Sequence, residues 1–76
     1  MAERFLLAHG FEKVTDEFGF TFFQSENYII DRKLNDSYKT TGWYLYRKSG
    51  RYIETFKRLR DVVDAIFNMK GEIIYV

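Results

Sequence analysis

The chain has 76 residues and a formal net charge of only +1, with no cysteine, no proline and a single histidine. These features exclude disulfides, cysteine-bound metals and metal sites that need two histidines. So short a chain forms one domain, residues 1–76, and buries only about 60% of its unfolded surface. Since 20% of the residues are aromatic, we expect an aromatic core to supply the missing stability.

No apolar run approaches the roughly 18 residues of a membrane span. Met1 leads directly into a helical pattern, without the apolar segment and cleavage site of a secretory signal. We therefore expect a cytoplasmic protein with no membrane contact.

The charges are unevenly distributed along the chain. Residues 1–31 have a net charge of −4, residues 32–60 of +7 and residues 61–76 of −2. A basic middle segment can attract an acidic partner, although mixed charges also pair with one another on ordinary surfaces.

The first half of the chain predicts a short helix and three strands. Residues 2–9 have helical apolar spacing, and Gly10 suits the left-handed position that ends a helix. Aromatic and β-branched runs bounded by turn formers predict strands at residues 11–15, 20–23 and 28–31. Residues 32–42 lack a clean period, so we predict a connecting loop of eleven residues.

The second half predicts a β-hairpin that leads into an amphipathic helix. The hairpin strands are residues 43–48 and 51–56, joined by a two-residue turn at Ser49-Gly50. An apolar arc predicts a helix over residues 57–69, with Thr55 as its N-cap. Residues 72–76 are a further strand candidate, which could pair with a second copy of the chain, so a homodimer stays open.

The two-residue turn sorts the hairpin side chains into two faces, because side chains alternate along a strand. The more apolar face should meet the C-terminal helix and form the core; it carries Trp43, Leu45, Arg47, Tyr52, Glu54 and Phe56. The other face is aromatic and basic, and it carries Tyr44, Tyr46, Lys48, Arg51, Ile53 and Thr55.

The predicted fold is a small two-layer α+β domain. We expect an antiparallel sheet of four to six strands, with a short N-terminal helix and a longer C-terminal helix packed on one face.

Catalytic chemistry is not expected. His9 lies near the end of a short helix, where it has a structural role, and Asp61 and Asp64 lie on a solvated helix face with basic partners four residues away. The glycines are isolated, so no phosphate-binding loop is present. We predict no enzyme, no catalytic residue, no metal and no cofactor.

The aromatic-basic face is the best candidate for a binding surface. Four of its side chains, together with two basic residues of the predicted loop, form the proposed site: Tyr44, Tyr46, Lys48, Arg51, Arg32 and Lys33. The competing interpretation is that Tyr44 and Tyr46 pack under the N-terminal helix or the long loop.

One resemblance points to nucleic acid. A Trp-bearing strand, a basic turn and a strand ending in Phe lead into a helix at Trp43, Arg47, Lys48, Arg51, Phe56 and Ala65. This layout resembles plant APETALA-type DNA-binding domains and phage integrase arm-binding domains, which implies DNA binding. It covers about a third of the chain and departs from those families in placing the third strand, residues 28–31, beyond a long loop. The basic cluster at residues 57–60 is also similar to that of double-stranded-RNA-binding domains, although Val62 and Val63 stand where those helices favour alanine.

A second resemblance, of size and style, points to protein. Small, cysteine-free, aromatic-rich domains resemble the accessory proteins of phages and mobile elements, many of which occlude a host enzyme or defence complex. The nearly neutral charge and the six acidic residues among residues 1–31 favour a host or cellular protein as partner. A nucleic acid is the alternative.

Overall fold

The computed structural model describes residues 2–67. The predicted strand at residues 72–76 and the end of the predicted C-terminal helix lie outside this range. Two helices and five strands follow one another as α1 (Ala2–Ala8), β1 (Glu12–Thr15), β2 (Thr21–Gln24), β3 (Tyr28–Leu34), β4 (Thr40–Arg47), β5 (Tyr52–Phe56) and α2 (Leu59–Ile66).

The strands form one antiparallel sheet in the order β1-β2-β3-β4-β5, so each strand pairs with its neighbour in the chain. The helices contact each other, and both pack on the same side of the sheet. The predicted two-layer α+β fold is therefore confirmed, with a strand count inside the expected range.

The core lies between the sheet and the two helices and is largely aromatic. Trp43 and Leu45 from β4 are buried there with Val62 and Ile66 from α2, as the alternation in the hairpin predicted. Phe56, Leu59 and Val63 pack against this core from its margin. The remaining buried side chains come from every layer of the domain: Leu6, Phe11, Phe23, Tyr28, Ile30 and Phe67.

The predicted loop at residues 32–42 is wrong. Strand β3 continues to Leu34 and pairs with β4, which begins at Thr40, so only residues 35–39 connect them. The sequence does not show the apolar alternation of this strand because Arg32 occupies a position that faces the helix side. Its guanidinium lies over the Trp43 ring, 4.7 Å from the centroid, and its alkyl stem and charge replace the expected apolar side chain.

Three of the four hairpins close in the same way. Each closing segment has five residues, of which the middle three form the loop. The first residue donates its N–H to the carbonyl of the fifth, and the fourth, which has a positive φ, donates its N–H to the carbonyl of the first. This is the three-residue hairpin loop with a type I turn and a left-handed residue. The first, fourth and fifth residues are Asp16, Gly19 and Phe20 in one hairpin, Asn35, Tyr38 and Lys39 in the next, and Arg47, Gly50 and Arg51 in the last.

The last of these turns changes the predicted hairpin register. Because the loop has three residues rather than two, Tyr46 lies opposite Tyr52. A bulge at Ile53 restores, from Leu45 and Glu54 onward, the pairs that a two-residue turn at Ser49-Gly50 would form. Tyr52 therefore points away from the core, with 54% of its surface exposed, while Ile53 packs against the core. The predicted faces of these two residues are wrong.

Helix α2 is shorter than predicted within the described residues. Phe56 still pairs with Trp43 in the sheet, so the helix begins only at Leu59, and Arg58 rather than Thr55 is the N-cap. It ends at Ile66, because Phe67 adopts an extended conformation and places its ring against Phe5 and His9.

The predicted helix at residues 2–9 ends close to its expected boundary. The Phe11 N–H donates to the Leu6 carbonyl across Gly10, which has a φ of +91° and forms the left-handed cap. His9 stacks on Phe5 at 3.9 Å between ring centroids, and its Nδ1–H donates to the Phe5 carbonyl.

Candidate binding face

Neither described helix packs on the second side of the sheet, which we call the open face. The strand register defines it in rows that run across the sheet. One row crosses all five strands and consists of Glu12, Gln24, Ile29, Tyr46 and Tyr52. The next row contains the pair of Val14 and Phe22 and, where the β2–β3 register is continued, also Asp31, Tyr44 and Thr55; beyond it Lys33 pairs with Gly42.

Three tyrosines lie next to one another on β4 and β5, at the β5 edge of the open face. The Tyr44 and Tyr46 rings lie 6.0 Å apart, and the Tyr46 and Tyr52 rings lie 5.9 Å apart in an edge-to-face arrangement. The Tyr52 hydroxyl shares a 2.8 Å hydrogen bond with the Thr55 hydroxyl. We call these three side chains the tyrosine row.

The tyrosine row is held in place by mutual packing. Tyr44 and Tyr46 are half-buried, as is the neighbouring Ile29. Burial raises the pKa of the Tyr46 hydroxyl above its ordinary value of 10.0, and the Asp31 carboxylate adds to the rise, as do Tyr44 and Tyr52. Tyr46 therefore presents a neutral hydroxyl that can donate a hydrogen bond at physiological pH.

Four of the six predicted site residues lie on or beside the open face. Tyr44, Tyr46 and Lys33 belong to its rows. Lys48 lies in the β4–β5 turn, and its ammonium reaches the face by donating to the Gln24 side-chain oxygen at 2.8 Å.

The other two predicted site residues lie elsewhere. Arg32 is on the helix side, where it stacks on Trp43 and donates hydrogen bonds to Thr21 and Thr40. Arg51 precedes Tyr52, so alternation directs it away from the tyrosine row. The three-residue loop caused this difference, because the two-residue turn would have placed Arg51 beside Tyr46.

The charges of the open face are balanced rather than basic. Glu12 and Asp31 contribute negative charge, and Lys33 and Lys48 contribute positive charge. At one end they are linked in a chain, since the Gln24 amide donates to Glu12 at 2.6 Å and accepts from Lys48. The +7 of residues 32–60 is thus not concentrated on this face.

Several members of the open face were missed at the level of sequence. Tyr52 was assigned to the core, and Phe22 and Ile29 were treated only as parts of short strands. Continuing the alternation from Tyr28 through Leu34 would have separated Ile29 from the buried Ile30. The bulge at Ile53 leaves no comparable pattern that would have found Tyr52.

Among residues 2–67, two of the clefts lie at opposite ends of the sheet. The larger, about 470 Å³, is lined by both acidic and basic side chains, including the hydrogen-bonded Glu12, Gln24 and Lys48. The smaller, about 310 Å³, has two lysines and no carboxylate in its lining, which consists of Lys33, Thr41, Gly42, Thr55, Phe56 and Lys57.

Comparisons with known proteins give no relative for this arrangement. No family model matches the chain, and searches of curated proteins and of solved structures find no significant match. Within residues 2–67, neither helix has the length and hydrophobicity that crossing a bilayer requires. The same residues contain no group of three or more His, Cys, Asp or Glu side chains arranged to hold a metal.

Proposed function

We propose that this chain is a small non-catalytic binding module that acts in the cytoplasm through the open face of its sheet. Its partner is a host or cellular protein, in the manner of the accessory proteins of phages and mobile elements. The observation that supports this proposal is the tyrosine row, which lies on a sheet face that neither described helix covers.

Tyrosine suits a protein interface for physical reasons. Its ring supplies a large rigid contact area with few rotatable bonds, and its hydroxyl can pair with a partner group, so tyrosines are frequent energetic hot spots. Packing within the row fixes Tyr44 and Tyr46 before a partner arrives, which lowers the conformational entropy lost on binding.

The balanced charge of the open face favours protein over nucleic acid. Asp31 pairs with Tyr44 in the register and would lie against any phosphate backbone that crossed the tyrosine row. A nucleic-acid interface is usually much more positive than this.

One observation supports DNA or RNA binding as a second candidate. Strand β3 pairs with β4 over its full length, so the third strand lies directly before the Trp43 strand, as in the APETALA-type and integrase arm-binding layout. The long loop that was expected between the third strand and the Trp43 strand is therefore replaced by a connection of residues 35–39.

Affinity capture from nuclease-treated cell extract tests the proposal at about 50 and 200 mM salt, because phosphate contacts weaken steeply over this range. We expect the wild-type chain to retain a protein at both concentrations. Tyr44→Ala/Tyr46→Ala should remove it while keeping a cooperative melt, and the matched control Arg51→Ala should retain it.

Three outcomes would contradict the proposal. Capture that disappears at the higher salt concentration favours nucleic acid, and an unfolded tyrosine variant assigns these residues to folding. Capture that the tyrosine variant retains places the binding surface elsewhere.

A second copy of the chain is the competing occupant of this face. Sedimentation at micromolar concentration measures self-association, and a species of 9.2 kDa excludes the homodimer.

A further inference from the structure

Tyr38 occupies a position that glycine occupies in the two other hairpins of the same type. Its φ is +60°, and the equivalent Gly19 and Gly50 have φ values of +86° and +99°. The left-handed conformation costs a residue with a Cβ roughly 1–2 kcal/mol. Burial does not offset this cost, because 73% of the Tyr38 surface is exposed.

The β3–β4 loop holds Tyr38 firmly in this conformation. The Asn35 side-chain oxygen accepts hydrogen bonds from the N–H groups of Ser37 and Lys39 at 2.8 and 3.0 Å. The Tyr38 N–H donates to the Asn35 carbonyl. A fixed backbone presents the exposed ring in one direction.

The Tyr38 ring extends the open face beyond the strands. It stacks on Phe20, with ring centroids 6.2 Å apart and an interplanar angle of 26°. Phe20 precedes Thr21, so alternation places it on the same side of β2 as Phe22. The stacked rings of Phe20 and Tyr38 thus lie on the same side of the sheet as Phe22 and the tyrosine row, and Asp31 lies between Phe22 and Tyr44.

A cationic cleft adjoins this end of the open face. Continuing the β2–β3 register places Phe20 beside Lys33, whose stem lies within 3.7 Å of the position that a Cβ of Gly42 would occupy. Lys33 and Lys57 line the cleft of about 310 Å³, which has no carboxylate in its lining. Neither lysine takes part in the salt bridges found among residues 2–67, Lys13–Glu3 and Arg58–Asp61.

We propose that Tyr38, Phe20 and this cleft form a recognition site for an apolar protein segment that carries an acidic side chain. The apolar part of the segment lies on the stacked rings, and its carboxylate lies between the Lys33 and Lys57 ammonium groups. The inference rests on the proposed function and specifies the chemistry of the partner that the open face receives.

Selection of short random peptides on the wild-type protein supplies the probe, and the affinity of one selected peptide is then measured. We expect the selected peptides to combine apolar residues with Asp or Glu. Tyr38→Gly should weaken binding about tenfold, which is the size of a moderate hot-spot effect. The same change should leave the melting temperature unchanged or raised, because glycine removes the backbone strain.

Phe18→Ala is the matched control for Tyr38→Gly. Phe18 is also an exposed aromatic residue in a hairpin turn, with 76% of its surface accessible, and its ring is not stacked on the open face. Its removal should change the affinity by less than about twofold, the usual size of a peripheral contact.

The carboxylate is tested by a double-mutant cycle. Replacing the acidic residue of the peptide by its amide should weaken binding to the wild-type protein by about five- to tenfold, and binding to Lys33→Gln/Lys57→Gln by less than about twofold. Equal losses with both proteins would overturn the assignment of the cleft.

The outcomes separate this inference from the proposed function. Peptides that need Tyr44 and Tyr46 but bind equally well after Tyr38→Gly would overturn the inference and keep the function. A wild-type protein that selects no peptide would overturn the inference, whereas the proposed function depends on the capture experiment from cell extract. A Tyr38→Gly variant that unfolds would show that Tyr38 is structural, which also contradicts the inference.

Discussion

The two faces of the sheet both carry aromatic side chains, but they differ in how far the domain buries them. Along β4, Trp43 and Leu45 are buried under the helices, whereas their immediate neighbours Tyr44 and Tyr46 lie half-buried on the open face. On the helix side, the aromatic residues of the core are buried within the domain. Within residues 2–67, the ring contacts of the aromatic residues on the open face are with one another, and a partner can complete their burial.

The largest expected difference between the faces comes from the neighbours Ile30 and Ile29. Ile30 is fully buried on the helix side, so Ile30→Asp places an unpaired carboxylate in the core and should cost several kcal/mol, enough to unfold so small a domain. Ile29→Asp on the open face should keep a cooperative transition. Urea denaturation followed by circular dichroism measures both, and two unfolded variants would show that the open face is also core.

The next effect concerns Gly42 on β4, where the backbone of β5 is close. A Cβ at this position would lie 2.8 Å from the Phe56 backbone oxygen, so β4 and β5 would have to separate. We expect Gly42→Ala to cost about 1–3 kcal/mol of unfolding free energy, as overpacking does. Stability unchanged in a denaturant titration would mean that the strands can separate at little cost.

Arg32 and Lys33 are adjacent basic residues on opposite faces. Arg32→Ala removes the contact with Trp43 and the hydrogen bonds to Thr21 and Thr40, which should cost about 1–2 kcal/mol. Lys33→Ala should change the unfolding free energy by less than about 0.5 kcal/mol, as exposed substitutions usually do. Thermal and chemical denaturation measure both variants. Equal losses of stability in Arg32→Ala and Lys33→Ala would remove the distinction between a structural and a binding cation.

The smallest effect is the pH dependence contributed by Tyr46. Its pKa is raised in the folded state, so its contribution to stability is fully present below the unfolded value of about 10 and is lost as the pH rises through the folded value. Stability should therefore fall less steeply above pH 10 in Tyr46→Phe than in the wild type. Denaturant titrations across this range measure the difference, and identical slopes would contradict the burial of this hydroxyl.

Sequence patterns were sufficient for the parts of the fold where inward positions are apolar. Trp43, Leu45 and Phe56 alternate with polar or exposed residues, and the apolar arc of α2 contains Val62 and Ile66, so these core residues were predicted correctly. Tyr52, which was predicted to share the core face, lies on the open face. Alternation failed at Arg32, because a stacked guanidinium stands where an apolar side chain was expected.

The candidate site was predicted less completely because it depends on a turn. A single extra loop residue moved Arg51 away from the tyrosine row, and the compensating bulge at Ile53 exchanged the faces of Ile53 and Tyr52. The Ser49-Gly50 pair is compatible with both loop lengths, so local sequence could not decide between them. Tyr44 and Tyr46 were placed on the correct face because alternation along β4 from the buried Trp43 and Leu45 does not depend on the turn, although the strand partner of Tyr46 changed to Tyr52.

The most direct test of the central claim compares the two sides of the domain in one crosslinking experiment. A photoreactive phenylalanine derivative replaces Tyr46 on the open face or, as the control, Leu7 on α1, which is 46% exposed on the helix layer. We expect a discrete protein adduct from position 46 and none from position 7 when the chains are irradiated in extract. An adduct of equal yield from both positions, or from position 7 alone, would contradict the assignment of the open face as the binding surface.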